Sequence, residues 1–190
     1  MRRNSVPSVC VFCGSSEGND PVYKAAAQAL GRSVAQHGAR LIYGGAAIGL
    51  MGTTAQAALD AGGEVIGVIP QFLRAREVEL TTLTELIITV DMHQRKEQMH
   101  KLSDAFVVLP GGIGTLEEVT EALTWSQLGL HKKPVIFVNI DGFWDPLFAL
   151  FDRVANSNFA RYGLKELYQV VNTAEDVMPL ILGTKRQAAE

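Results

Sequence analysis

The chain has 190 residues, of which 47% are hydrophobic and 19% are charged, and its formal net charge is -3. This length and apolar share predict one globular domain, residues 1–190, with a large buried core. The acidic balance argues against the broad basic surface that binds a nucleic-acid backbone, although a pocket for one phosphate group remains possible. No apolar stretch approaches the ~20 residues of a membrane span, and the first apolar run is too short for a signal peptide. We therefore expect a cytoplasmic protein that binds neither nucleic acid nor membrane.

Short runs rich in Val, Ile and Phe alternate along the chain with longer stretches of helical periodicity. This order is typical of a parallel sheet flanked by helices, and several runs are almost uniformly apolar, as strands covered on both faces are. We predict strands over Ser8–Cys13, Arg40–Tyr43, Glu64–Ile69, Glu85–Val90, Ala105–Leu109, Pro134–Asn139 and Tyr168–Val171. The predicted fold class is α/β, a Rossmann-like three-layer fold with a mostly parallel central sheet.

Capping residues mark the ends of several predicted helices. Asp20 and Pro21 are typical of an N-cap and a first helical position, and glycines after two of the helical stretches are typical of helix C-termini. The predicted helices run from Pro21 to about His37, from Gly49 to Ala61, and over Met92–Leu102, Thr115–Leu128, Pro146–Asn156 and Thr173–Leu182. We expect the two ends, 1–7 and 184–190, to be loose.

The sequence contains two residue pairs that resemble metal or redox sites. Cys10 and Cys13 have the Cys-x-x-Cys spacing, but they lie in a predicted strand, where positions three apart face opposite sides. We expect buried, reduced thiols. His93 and His100 lie seven apart on a predicted helix without a carboxylate at matching spacing, so we expect no metal site.

A glycine-rich segment, Pro110–Glu118, directly follows the Ala105–Leu109 strand. Glycines let backbone amides approach an anion, and the following helix points its positive end at it. The length of the run favours a phosphate site over a turn that only joins strand to helix. The segment has neither the dinucleotide fingerprint nor the lysine of a P-loop, so it gives no support for NAD or ATP. The predicted phosphate cradle consists of Gly111, Gly112, Ile113, Gly114 and Thr115.

Two further glycine-containing loops, Cys13–Ser16 and Tyr43–Gly52, follow the first two predicted strands. In open α/β sheets, ligands bind outside the carboxyl ends of the strands. Ser15 and Gly45 could therefore lie around the same pocket. Taken alone, each loop is as well explained by the geometry of entering a helix.

Arg95 and Lys96 are adjacent cations at the start of a predicted helix, where the macrodipole disfavours positive charge. A bound anion or a partner carboxylate would compensate them; otherwise they are solvated surface residues. Glu118 is placed near the predicted phosphate, with Glu117 about a quarter-turn away. A carboxylate beside a sugar phosphate suits N-glycosidic cleavage, because it stabilises an oxocarbenium-like transition state. Stabilisation of the helix N-terminus is the alternative explanation for Glu118.

Together, the segments Tyr43–Gly52, Met92–Lys96 and Pro110–Glu118 resemble the Lonely Guy (LOG) family over roughly Val9 to Phe159. The motifs Met-His-x-Arg-Lys and Pro-Gly-Gly-x-Gly-Thr-x-x-Glu are both complete. Members of this family hydrolyse N6-substituted adenosine 5′-monophosphates to the free base and ribose 5-phosphate. Many have carried the label lysine decarboxylase, which these residues do not support.

The resemblance also implies roles for individual residues. Arg95 and Glu118 would be the catalytic pair, with Glu118 acting on the ribose and water and Arg95 holding the substrate. It further implies a nucleoside monophosphate substrate, no cofactor and a homodimer. In one departure, Ala46 replaces the third of three consecutive glycines, and its methyl group would narrow the pocket or disfavour a positive φ. The predicted substrate-binding residues are Ser15, Gly45, Glu77, Met92, Lys96, Gly111, Gly112, Ile113, Gly114, Thr115 and Thr124.

Two other functions fit the same motifs. A broad-specificity nucleotide nucleosidase would keep all of them and differ only in the shape of the pocket around the base. A non-catalytic carrier of a nucleotide or cofactor would keep the glycine loop, but it would not need the pair Arg95 and Glu118.

Overall fold

The computed structural model describes residues 6–74, 80, 82–160 and 163–187, and among them seven strands form one sheet. The strand order is β4-β3-β2-β1-β5-β6-β7, and every neighbouring pair is parallel. The predicted strands are confirmed to within one residue at each end. They are β1 Ser8–Phe12, β2 Arg40–Tyr43, β3 Val65–Pro70, β4 Glu85–Thr89, β5 Ala105–Val108, β6 Val135–Val138 and β7 Gln169–Val171.

Six α-helices connect or follow the strands in the described residues. Asp20 is confirmed as an N-cap, since its Oδ1 accepts a hydrogen bond of 3.0 Å from the amide of Val22. No helix in this part of the chain is long and apolar enough to cross a membrane. The helices are α1 Pro21–Gln36, α2 Gly49–Asp60, α3 Met92–Leu102, α4 Ile113–Gln127, α5 Asp145–Asn156 and α6 Val177–Gln187.

The last helix differs most from its prediction, Thr173–Leu182. It begins four residues later, because the Thr173 hydroxyl donates to Asp176 Oδ2 at 2.6 Å in a turn before the helix. It also continues to Gln187, beyond the point at which we expected a loose end. Lysine, arginine and glutamine at 185–187 are good helix formers, which explains the extension.

The helices cover both faces of the sheet and complete the predicted three layers. Buried residues of α1, α2 and α6 pack on one face, and buried residues of α3, α4 and α5 pack on the other. Cys13 belongs to the first core and Cys10 to the second, so the expectation of two buried thiols is confirmed. Burial raises the pKa of both thiols, with the charge of Glu118 adding to the effect.

The direction of the strand order reverses between β1 and β5. In open α/β sheets this switch point leaves a crevice at the carboxyl ends of the strands, where ligands bind. The amide of Gly14 donates to the carbonyl of Pro110 at 3.1 Å, which fixes the loops after β1 and β5 side by side. Two of the predicted glycine loops therefore meet at this crevice, and the third follows the neighbouring strand β2.

Candidate active site

The N-terminus of α4 offers free backbone amides at the crevice. Its N-cap, Gly112, provides no side-chain cap. Within the described residues, no acceptor takes the amides of Ile113, Gly114 or Thr115. A Cβ at Gly112 or Gly114 would meet no atom within 4 Å, so a ligand can approach the backbone there. Free amides at a helix N-terminus suit an anion, which makes this segment the best-placed phosphate site.

The loop is held in this position by a close approach of backbone segments. A Cβ on Gly111 would lie 2.1 Å from Thr115 Oγ1 and 2.9 Å from the amide nitrogen of Gly14. Thr115 itself is only 3% exposed, so its hydroxyl lies beneath the loop. Gly111 is therefore required for packing, whereas Gly112 and Gly114 leave room for a ligand.

The N-terminus of α2 differs from that of α4, because its first amides are already satisfied. The amide of Leu50 donates to the carbonyl of Gly14 at 3.0 Å, and that of Met51 donates to the same oxygen at 3.3 Å. Gly49, at φ +60°, fits against the backbone of Ser15, where a Cβ would approach to 2.2 Å. The loop after β2 thus supports the loop after β1 and offers fewer free donors to an anion.

Two residues of that loop, Gly45 and Ala46, are buried. Gly45, predicted to bind substrate, is buried at φ +81°, and a Cβ there would lie 3.0 Å from Ile69 Cβ of β3. Because Gly45 has no side chain, its backbone can pack closely against β3. Ala46 is fully buried in the core and does not have a positive φ, so its methyl group fills the core without straining the backbone.

Arg95 and Glu118 form a buried ion pair that joins α3 to α4. Arg95 Nη1 lies 3.1 Å from Glu118 Oε1, and the two side chains are 8% and 10% exposed. Arg95 Nε donates to the carbonyl of Val68 at 3.1 Å. Gly44 makes room for the guanidinium, since a Cβ there would lie 2.3 Å from Arg95 Nη2. The helix rise places Glu118 about 4.5 Å along α4 from Thr115, and helical side chains lean back toward the N-terminus.

Lys96 is also buried, and it contacts the opposite helix. Its ammonium donates to Glu117 Oε1 and, at 2.8 Å, to Glu121 Oε2. Burial would lower the pKa of Lys96, but the hydrogen bonds to the two carboxylates outweigh it, and the pKa is raised. Partner carboxylates therefore compensate both adjacent cations at the start of α3. The resemblance implied a substrate contact for Lys96, whereas here its donors are directed at α4.

A cavity of about 250 Å³ opens at the crevice between β1 and β5. Ser15, Gly111 and Gly112 line it, together with the rings of Tyr23 and Phe143, which contact each other edge to face at 5.6 Å. This aromatic pair was not predicted, because the two residues are 120 positions apart in different elements. A larger cavity, about 640 Å³, lies between polar sides of α1 and α2, and Ala47 and Gly52 of the segment Tyr43–Gly52 line one part of it.

The remaining predicted residues lie at greater distances or cannot be placed. Met92 is half-buried at the first position of α3, one turn before Arg95. Thr124 is exposed, donates its hydroxyl to the Thr120 carbonyl at 2.7 Å, and lies about 18 Å along α4 from Gly112. Glu77 lies outside the described residues.

Neither His93 nor His100 takes part in the ion pair of Arg95 and Glu118. His93 is exposed, and His100 packs its ring on Phe106 and Trp125 at 4.6 and 4.4 Å, at the other end of α3. Among the described residues, no group of three or more His, Cys, Asp or Glu could hold a metal ion. The structure thus places the ion pair of Arg95 and Glu118 about one helical turn from the free amides of α4.

Residues 51–181 match the family described as possible lysine decarboxylase. The probable cytokinin riboside 5′-monophosphate phosphoribohydrolase LOGL1 of Oryza sativa subsp. japonica is 46% identical over 90% of this chain and 76% of its own length. The corresponding enzyme LOG1 of Arabidopsis thaliana is 49% identical over 80% of this chain and 71% of its own length. This chain belongs to the LOG family. The LOG motifs at Arg95 and Glu118 are the ones that the fold brings into contact.

Solved structures similar to this LOG-family chain have the same fold. The molybdenum cofactor binding protein of Rippkaea orientalis superposes with a TM-score of 0.73 at 25% identity, over 96% of this chain and 99% of that one. The Moco carrier protein of Chlamydomonas reinhardtii gives the same TM-score and coverage at 22% identity. The Rossmann-like class is therefore confirmed.

Proposed function

We propose that this LOG-family protein is a hydrolase that cleaves the N-glycosidic bond of N6-substituted adenosine 5′-monophosphates, releasing the free base and ribose 5-phosphate. The observation that carries the proposal is the buried ion pair between Arg95 and Glu118, one turn beyond the free amides of α4. A carrier needs the amides alone. A buried carboxylate and guanidinium at the sugar's expected position add the groups that glycosidic hydrolysis requires.

In the proposed reaction each group has its own step. The amides of Ile113, Gly114 and Thr115 bind the 5′-phosphate, and the ribose then extends along α4 toward Glu118. As the bond between ribose C1′ and base nitrogen breaks, positive charge develops on the sugar, and the Glu118 carboxylate stabilises it and orients water. Water adds to C1′, and the departing base keeps the bonding electrons and takes a proton. Arg95, held by the Val68 carbonyl, orients Glu118 and contacts the substrate.

Phosphate binding is remote from the bond that breaks, so it can contribute to orienting the sugar against Glu118. We therefore expect the 5′-monophosphate to be turned over far faster than the matching nucleoside. Similar rates for the two would show that the α4 amides do not hold the phosphate.

The test is incubation of the wild-type protein with isopentenyladenosine monophosphate, AMP, other nucleoside monophosphates and the matching nucleosides. Chromatography should show equal amounts of free base and ribose 5-phosphate from the N6-substituted monophosphate. Comparable release from all nucleotides would favour a broad-specificity nucleosidase. Tight nucleotide binding without release of any base would instead support the carrier function.

We further propose that the protein is a homodimer in the cytoplasm. Ile113 and Leu128 are 84% and 69% exposed on the same side of α4 as Thr124, and such apolar exposure favours a protein contact. A second copy on this side would also bring Thr124 close to another chain. The free thiols Cys10 and Cys13 suit a reducing compartment. Sedimentation should give a dimer at micromolar concentration, and a monomer there would contradict the assembly; cell fractionation tests the compartment.

A further inference from the structure

Two adjacent cations of α3 pair with carboxylates of α4, and the mechanism above uses only one of these cations. Arg95 pairs with Glu118, and the next residue, Lys96, pairs with Glu117 and Glu121. Lys96 has an 8% exposed side chain and is directed away from solvent. A buried ammonium that takes part in no step of the reaction calls for another role.

The charges around Lys96 argue against a role in binding phosphate. One ammonium faces two carboxylates, so the group of Lys96, Glu117 and Glu121 carries excess negative charge. Such a group repels a phosphate instead of attracting it. It does compensate a cation at the start of α3, where the helix dipole disfavours positive charge.

The two carboxylates differ in burial. The side chain of Glu117 is 53% exposed, so water screens its interaction, whereas that of Glu121 is 22% exposed. Oε1 of Glu121 is buried and has no hydrogen-bond partner among the described residues, which leaves Lys96 as the group that compensates its charge. Glu121 is therefore the more strongly coupled of the two carboxylates.

From these contacts we infer that Glu121 is a positioning residue for the catalytic pair: it holds Lys96 and thereby fixes the first turns of α3, which carry Arg95. Glu121 lies three residues after Glu118 on α4, and Lys96 directly follows Arg95 on α3. The ion pair of Lys96 and Glu121 thus sets the spacing of α3 and α4 next to the ion pair of Arg95 and Glu118. This inference rests on the proposed hydrolase function.

The test compares Glu121→Gln with two other glutamate-to-glutamine variants. Glu121→Gln keeps the side-chain shape and removes the charge, so kcat should fall about tenfold or more through misplacement of Arg95, with little change in KM. Glu117→Gln removes the exposed partner of the same lysine and should have a smaller effect. Glu97→Gln, on the exposed side of α3, pairs with Lys101 and should match wild type.

A double-mutant cycle tests whether Glu121 acts through Lys96. The variant Lys96→Met combined with Glu121→Gln should be no slower than Lys96→Met alone, because the second change removes nothing further. Independent, multiplicative losses would overturn the inference. A rise in KM alone would also overturn it, since Lys96 would then bind substrate.

A readout that does not depend on turnover separates this inference from the proposed function. Glu121→Gln should speed amide hydrogen exchange in the first turns of α3, where the Arg95 amide donates to the Asp91 carbonyl at 3.1 Å. Wild-type protein that releases no base would refute the hydrolase, yet faster exchange would still support the positioning contact. Unchanged exchange, or a lower melting temperature with unchanged kcat, would refute the positioning role itself.

Discussion

The guanidinium of Arg95 reaches its position because residue 44 has no side chain. Three groups surround it: the Val68 carbonyl, the Glu118 carboxylate and the backbone of Gly44. The Val68 carbonyl accepts a hydrogen bond from it, the Glu118 carboxylate forms an ion pair with it, and Gly44 leaves the space. A long side chain held at this many points loses its rotamer freedom before substrate arrives, which is the preorganisation that electrostatic catalysis depends on.

A methyl group at position 44 should disturb this arrangement. In Gly44→Ala the new Cβ would lie 2.3 Å from Arg95 Nη2 and 3.0 Å from Met51 Sδ, so the guanidinium must move. We expect kcat/KM to fall by about tenfold to a hundredfold, as misplaced catalytic groups cause. Gly183→Ala is the matched control, because a Cβ on that helical glycine meets nothing within 4 Å. Equal activity of the two variants would contradict the role assigned to Gly44.

At the scale of elements, the loop between β5 and α4 combines a tightly packed glycine with two open ones. Gly111 packs against Thr115 and the backbone of Gly14, whereas Gly112 and Gly114 face open space. The packing of Gly111 holds the N-terminus of α4 at the switch point, and the open space at Gly112 and Gly114 leaves its amides accessible. The same glycine-rich run is therefore tightly packed at Gly111 and open at Gly112 and Gly114.

Two alanine variants of this loop should separate the two roles. Gly111→Ala forces a contact of 2.1 Å on Thr115 Oγ1, so its melting temperature should fall. Gly112→Ala leaves the fold intact but places a methyl group where the anion approaches, so KM for the nucleotide should rise at an unchanged melting temperature. Thermal melts and inhibition by inorganic phosphate measure the two effects. Loss of stability in Gly112→Ala with normal phosphate inhibition would show that the site lies elsewhere.

Local patterns predicted the elements well, because uniformly apolar runs and capping residues report on neighbours in the chain. The open N-terminus of α4 was expected from its glycines, and the pairing of Arg95 with Glu118 was expected from the family motifs. The roles of these groups in phosphate binding and catalysis stay predictions. Contacts between distant segments were not predicted, because they depend on how the helices pack over the sheet. These contacts are Val68 with Arg95, Glu121 with Lys96 and Tyr23 with Phe143. The spacing of one helical turn between Glu117 and Glu121 is visible in the sequence, but the pairing of Glu121 with Lys96 is not.

For the whole molecule, a cluster of rings around His100, at the other end of α3 from Arg95, links folding to pH. His100 is 6% exposed beside Phe106, Trp125 and His131. Burial lowers its pKa to about 4, and the nearby charges of His131 and Lys133 add to this. A histidine buried in its neutral form binds a proton more readily when the chain unfolds.

Stability should therefore fall as the pH is lowered from 6.5 toward 4. In that range the unfolded chain takes up a proton at His100 that the folded protein does not, which costs up to about 3 kcal/mol. His100→Phe should flatten this dependence, although His131, whose pKa burial also lowers, leaves part of it. Urea unfolding at pH 7 and pH 5 measures the slopes, and identical slopes for the variant and wild type would disprove this assignment.

The central claim is that a buried carboxylate beside a phosphate cradle makes this fold a hydrolase. Its most direct test is base release from isopentenyladenosine monophosphate by Glu118→Gln, measured beside nucleotide affinity in protein shown to be folded. The amide has nearly the same shape without the charge, so turnover should fall by about a hundredfold or more while much of the binding remains. Glu97→Gln should keep wild-type turnover. Near-normal base release by folded Glu118→Gln would contradict the account.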